Sequence, residues 1–309
     1  MDKTQTVKSQ IKVTEKAFGF LDLMLLAMVL IWGINYSIVK AALTEMSPLS
    51  FNSLRFLLAC ALTLLLLKVI EGDMGFARRD WWRLLGLGLI GNTCYQLLFI
   101  NGIDRTTAGN SALLLATTPI FISLIGTVSG TERVGKWAWV GVVFSFAGIF
   151  MVIVGSGKEL ELTGETLKGD VLILIGAVVW SLYTVLSRPM LARYSALKLT
   201  ALAMATGTPF IVLFSIPQLL AQDWAAVSWQ GWLALLFSGS MAIALAYVIW
   251  NLGVSRVGGA RTAVYSNLSP VIATIFAWLT LGEAITAFMV AGAAMIFLGI
   301  YLTRRSSQR

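Results

Sequence analysis

The sequence predicts an all-α membrane protein: ten transmembrane helices built as two inverted five-helix repeats around a central cavity. Three observations lead there: an apolar content that water cannot accommodate, ten apolar runs of bilayer length, and a match between the two halves of the chain. Of the 309 residues, 58% are hydrophobic and only 12% are charged, and the mean hydropathy is +0.82. A soluble core of this length cannot hide so much apolar surface, whereas acyl chains solvate it directly.

A hydrocarbon layer about 30 Å thick takes about 20 apolar residues in a helix. Runs near that length cover approximately Leu21–Leu43, Pro48–Leu67, Leu84–Ile103, Thr107–Val128 and Trp137–Val154 in the first half. The second half supplies Val171–Leu186, Leu197–Leu220, Leu233–Leu252, Thr262–Thr280 and Ala284–Leu302. Cytoplasmic loops retain positive charge. With the N-terminus inside, 18 of the 23 Lys and Arg residues fall in cytoplasmic segments, and Lys40, Arg105, Lys158 and Lys168 fall outside. Both termini are therefore expected in the cytoplasm and the chain in the cell's inner membrane. Residues 1–17 lack an A-x-A-like cleavage site before a run longer than a signal-peptide core, so they read as a retained tail. Seven of the eleven tryptophans (Trp81, Trp82, Trp137, Trp139, Trp224, Trp229, Trp232) lie near span starts, where indoles anchor at the interface.

The internal match runs at two nearby offsets. Trp32 to Lys40 echoes Trp180 to Arg188 at 148 residues. At 151 residues, Gly102 pairs with Gly253, Arg105 with Arg256, Ala112 with Ala263, Pro119 with Pro270, Glu132 with Glu283, Gly141 with Gly292 and Gly148 with Gly299. Five spans per copy is an odd number, so the second copy must enter the membrane from the opposite side, an arrangement that recurs in alternating-access carriers. The expected organisation is a tail (residues 1–17), a first repeat (18–155), an external linker (156–170), a second repeat (171–303) and a cytoplasmic tail (304–309).

Several of these segments also resemble the EamA-type transporters of the drug/metabolite transporter superfamily. The resemblance rests on Trp32-Gly33 with Asn35 and Lys40, and on Pro48-x-x-Phe51-x-x-x-Arg55-Phe56. Ala108-Gly109-x-Ser111-Ala112 leading to Pro119-Ile120-Phe121, and Glu132-Arg133, add to it. It implies the ten-helix fold and export of amino acids or other metabolites. Drug efflux and import are neighbouring readings, and a non-transporting scaffold is the reading from another class. The copies are not chemically equivalent: Ala203 stands where the first has Arg55, and Arg261 where it has Asn110.

Polar groups inside hydrocarbon are costly and therefore informative. Trp32, Asn35 and Tyr36 share one helical face, and Trp180 and Tyr183 repeat the spacing in the sixth span. Tyr95 and Gln96 in the third span and Tyr265 and Asn267 in the ninth complete the expected substrate-binding set. Tyr247, Trp250 and Asn251 of the eighth offer the same mixture but rank behind Tyr95 and Gln96; Trp250 and Asn251 lie close to the cytoplasmic end, where a packing or interfacial role is at least an equal alternative. Pro119 and Pro270 remove a backbone donor and are expected to bend their helices. Arg55, the basic residue well inside a span, either captures a substrate carboxylate or turns outward to helix-end carbonyls.

Other functions lack material. The sequence contains no His, Cys60 and Cys94 lie in apolar runs, and no nucleophile is paired with a base. Neither an enzyme, a metal site nor a cofactor is expected. The net charge of +8 is dispersed between spans and does not form a nucleic-acid face. The expected partners are the lipid bilayer and a small-molecule substrate. Without mid-span Asp, Glu or His, facilitated diffusion or exchange is expected in place of proton coupling. Oligomeric state is left open by Gly-rich spans that permit close packing either within or between chains.

Overall fold

The computed structural model describes residues 19–129, 136–154 and 164–307. The N-terminal tail, Glu132 and Arg133, the linker residues 156–163 and residues 308–309 lie outside the described residues.

Among the described residues the chain is helix and connecting loop. The helices are α1 (Phe20–Ala42), α2 (Pro48–Ile70), α3 (Arg78–Arg105), α4 (Ala108–Leu115 and Thr118–Val128), α5 (Lys136–Val154), α6 (Glu165–Leu191), α7 (Ala196–Ala221), α8 (Trp229–Val257), α9 (Gly259–Ser266 and Ser269–Leu281) and α10 (Ala287–Ser307). Seven of them, α1 to α4 and α6 to α8, are long and apolar enough to cross a membrane, and α5, α9 and α10 carry shorter apolar stretches. Large apolar side chains on the outer faces, such as Leu65, Phe150, Leu213, Phe214 and Leu279, are exposed, as acyl chains permit. Trp81, Trp82, Trp229 and Trp232 are exposed at helix starts.

Local chemistry sets the helix ends. Pro48 opens α2, where a missing N–H costs nothing. Thr107, Ser195 and Ser228 hydroxyls accept from the N–H groups of Asn110, Lys198 and Gly231 at 3.0, 3.0 and 3.2 Å, capping α4, α7 and α8. The carboxylate of Glu283 accepts from Ala108 N and Gly109 N at 2.8 and 3.0 Å, tying the loop after α9 to the start of α4. Two of the expected domain boundaries fall inside helices. Residues 165–170, expected as linker, open α6, because Glu165 in the first turn complements the helix dipole. At the other end, α10 runs on to Ser307 into the expected tail.

Duplication is visible in the irregularities. Gly88–Cys94 of α3 and Ser238–Leu245 of α8 are wide π-turns, and Gly88 lies 151 residues before Gly239. The helical ladders of α4 and α9 break at residues 116–117 and 267–268, again 151 apart, just ahead of Pro119 and Pro270. Thr118 Oγ1 donates to the Leu115 carbonyl, whose helical donor Pro119 lacks, at 2.7 Å. Packing follows the same relation: α2 lies on α7 and α5 on α10, while α3 packs on α6 and α7 as α8 packs on α1 and α2. Exchanging the halves maps this contact pattern onto itself. Gly148 and Gly292 bring α5 and α10 together so closely that a Cβ on Gly148 would stand 2.6 Å from the Gly292 carbonyl oxygen.

Candidate functional site

A cavity of about 60 Å³ lies where the two halves meet, large enough to admit water. Its walls come from α1, α2, α3, α4, α6, α8 and α9.

One wall is aromatic. Trp32 stands edge-on to Trp180, its counterpart in the other repeat, at 6.2 Å, and Trp32 and Trp180 both lie 5.5 Å from Trp250. Tyr95 and Tyr247 close on Trp180 at 4.9 Å each. Trp32 Nε1 donates to the Ala242 carbonyl at 2.9 Å. That carbonyl sits in the π-turn of α8, which widens the helix and reorients backbone groups.

The other wall is a buried polar network centred on Arg55, which is 1% exposed. Its Nε and Nη2 donate to Asn52 Oδ1 at 3.0 and 2.8 Å, Nη1 to Ser238 Oγ at 3.1 Å, and Nη2 to Gln96 Oε1 at 2.7 Å. Gln96 Nε2 then donates to Tyr247 Oη at 2.6 Å. Gln96 and Tyr247 are 151 residues apart, so repeat counterparts bond each other directly across the meeting of the halves. The guanidinium also stacks near Phe51 and Phe99, 5.4 and 5.6 Å from their centroids. Among the described residues Arg55 forms no ion pair, and no Asp or Glu lines the cavity. Outward snorkelling of Arg55, the alternative open to the sequence, does not occur. Two other lining residues keep buried polar atoms without a partner: Asn35 Oδ1 and Trp250 Nε1.

Of the expected set, Trp32, Asn35, Tyr36, Tyr95, Gln96, Trp180 and Arg55 line the cavity. Tyr183, Tyr265 and Asn267 do not. Tyr183 stacks behind Trp180 at 5.0 Å and its hydroxyl bonds Asn251, so it buttresses the wall from one layer back. Tyr265 donates to Asp22 near the start of α1 and Asn267 falls in the break of α9, whereas Ser266 and Ser269 line the cavity. Conversely, Tyr247 and Trp250, ranked behind Tyr95 and Gln96 on sequence, form part of the wall. The repeat held the signal for both, because they lie 151 residues after Gln96 and Phe99. Thr118 and Ser269 are another such lining pair.

A sequence profile described as the EamA-like transporter family matches this chain twice, over residues 19–154 and 167–305. An uncharacterized transporter of Archaeoglobus fulgidus is 32% identical over 91% of this chain and 96% of its own. A probable amino-acid metabolite efflux pump of Salmonella typhimurium is 26% identical, covering 92% of this chain and 93% of its own. One crystal structure superposes with a TM-score of 0.68 at 20% identity, covering 94% of this chain and 98% of that one, which shows a shared fold.

Proposed function

This chain belongs to the EamA-like transporter family, and from that premise we propose that it exports amino acids or similar small amphipathic metabolites. In this reading all ten helices cross the membrane as two inverted repeats, with both termini in the cytoplasm. The residues where the halves meet bind the solute, and access alternates from one side to the other.

One observation carries the reading: a buried guanidinium with no carboxylate partner among the described residues shares a cavity with an aromatic wall drawn from both repeats. A buried cation without a counter-charge is expensive, and a substrate carboxylate supplies that charge. Indole and phenol faces give area to an apolar side chain and attract an ammonium. Asn35 Oδ1 offers an acceptor for N–H. Among the described residues no Asp, Glu or His lines the cavity, which supports exchange or facilitated diffusion over proton-driven transport. The Salmonella relative's description points to the same class of solute.

Counterflow tests this. Purified protein in liposomes preloaded with unlabelled neutral amino acids is expected to accumulate the labelled amino acid from outside, without an imposed proton gradient. Uphill movement that requires a proton gradient and shows no counterflow would sink the exchange mechanism. Silence across amino acids and other carboxylates would sink the substrate class.

A further inference from the structure

We propose that a groove between α3 and α6, at the end of the bundle where Arg78, Arg79 and Arg83 cluster, binds one anionic phospholipid of the surrounding bilayer. One acyl chain lies along the groove and the phosphate faces Arg83. The site stands apart from the transport cavity and does not depend on the transport reading.

The groove exists because the two helices diverge. Along Tyr95–Arg105, α3 packs densely on α6, whereas along Trp81–Leu87 the contacts are sparse. Glycines record the change: a Cβ on Gly102 would stand 2.8 Å from Ile173, while one on Gly86 would meet nothing within 4 Å. The space left open measures about 330 Å³, several times the central cavity and within the range of ligand pockets. Gly86, Leu87 and Ile90 form one side, Leu186 and Met190 the other, and Arg83 is the charged residue among them. Such a lining has nothing to orient a polar solute along its length, but it matches a hydrocarbon chain.

Charge selects the headgroup. The acids of the same region are already engaged: Glu71 accepts from Ser195, Asp73 from Lys198, and Asp80 from Arg193 and Tyr194. Arg83 is exposed and forms no ion pair among the described residues. Trp81 and Trp82 are exposed beside it, which sets this turn at the level of the headgroups. An acyl chain in the groove therefore brings its phosphate to an uncommitted guanidinium, and an anionic lipid gains over a zwitterionic one.

Native mass spectrometry of the purified full chain, titrated with phosphatidylglycerol or phosphatidylethanolamine of the same acyl chains, reads the bound lipid directly. Phosphatidylglycerol is expected to bind first and more tightly. Arg83→Gln should weaken it about fivefold, and Gly86→Leu, which fills the open space, should abolish preferential binding. Arg256→Gln, at an exposed arginine on α8, should leave it unchanged. Leu186→Trp fills the groove from the other helix if Gly86→Leu does not fold. Equal binding of the two lipids, retention of phosphatidylglycerol by a folded groove-filling variant, or an equal loss in Arg256→Gln would each overturn the proposal.

Discussion

Replacing Arg55 with Gln takes away the charged residue of the cavity wall while leaving a side chain able to hydrogen-bond. A hydrogen bond to a charged group is worth about 1.5–3 kcal/mol. If Arg55 holds the substrate carboxylate, half-saturation should rise roughly 10- to 150-fold, since about 1.4 kcal/mol is tenfold. The protein itself should tolerate the change better than the substrate does. Asn52 Oδ1 and Gln96 Oε1 lose donors held at 2.8 and 2.7 Å, but a buried cation without a counter-ion disappears at the same time, and these effects oppose. Arg55→Lys should fall between the two, because it keeps the charge and loses the planar fork that reaches Asn52, Ser238 and Gln96 together. The assay is concentration-dependent counterflow, with the decarboxylated amine of each amino acid as competitor. In the parent protein the amine should compete poorly; in Arg55→Gln the discrimination should vanish. A folded Arg55→Gln protein whose half-saturation stays within about twofold and which still rejects the amine would refute the carboxylate role.

Three further outcomes follow from particular contacts. Gly91→Ala would put a Cβ 2.3 Å from the Tyr183 ring, so Tyr183 and the stacked Trp180 must shift. Counterflow should fall more than thermal stability does, and unchanged transport would remove Tyr183 as a buttress. Gly148→Leu drives side-chain atoms into the Gly292 backbone and should cost about 1–3 kcal/mol by overpacking, read as earlier thermal unfolding in detergent. The Lys198 ammonium donates to Asp73 at 2.6 Å and holds that carboxyl below its ordinary value of 3.8. The stabilisation from this contact is present above that value and is lost as pH falls through the lowered one. The difference in melting temperature between the parent and Asp73→Asn should therefore be constant from pH 5 upward and shrink below about pH 4. A difference that grows on acidification would show that another group controls the contact.

Much of the architecture is legible without coordinates because bilayer solvation imposes a simple rule on composition. An apolar run of sufficient length becomes a helix, and α1, α2 and α7 begin and end within a few residues of the runs read from the sequence. The repeat is equally legible, since Pro119 and Pro270 or Gly148 and Gly299 recur in register. Residues whose neighbours at 3 and 4 positions share their chemistry, such as Trp32 with Asn35 and Tyr36, reach the cavity because an undisturbed helix keeps one face in one direction.

What the sequence by itself determined, then, is which segments are apolar enough to leave water, and that they come in two related sets. Only the tertiary structure decided which faces converge. Tyr247 and Trp250, three residues apart just after the π-turn of α8, stand in the wall. From α9 it is Ser266 and Ser269, and not Tyr265 and Asn267, that line the cavity. Convergence depends on which helices approach and how closely, as where Gly88 and Gly207 let α3 and α7 touch backbone to backbone, and no periodicity in one segment encodes that.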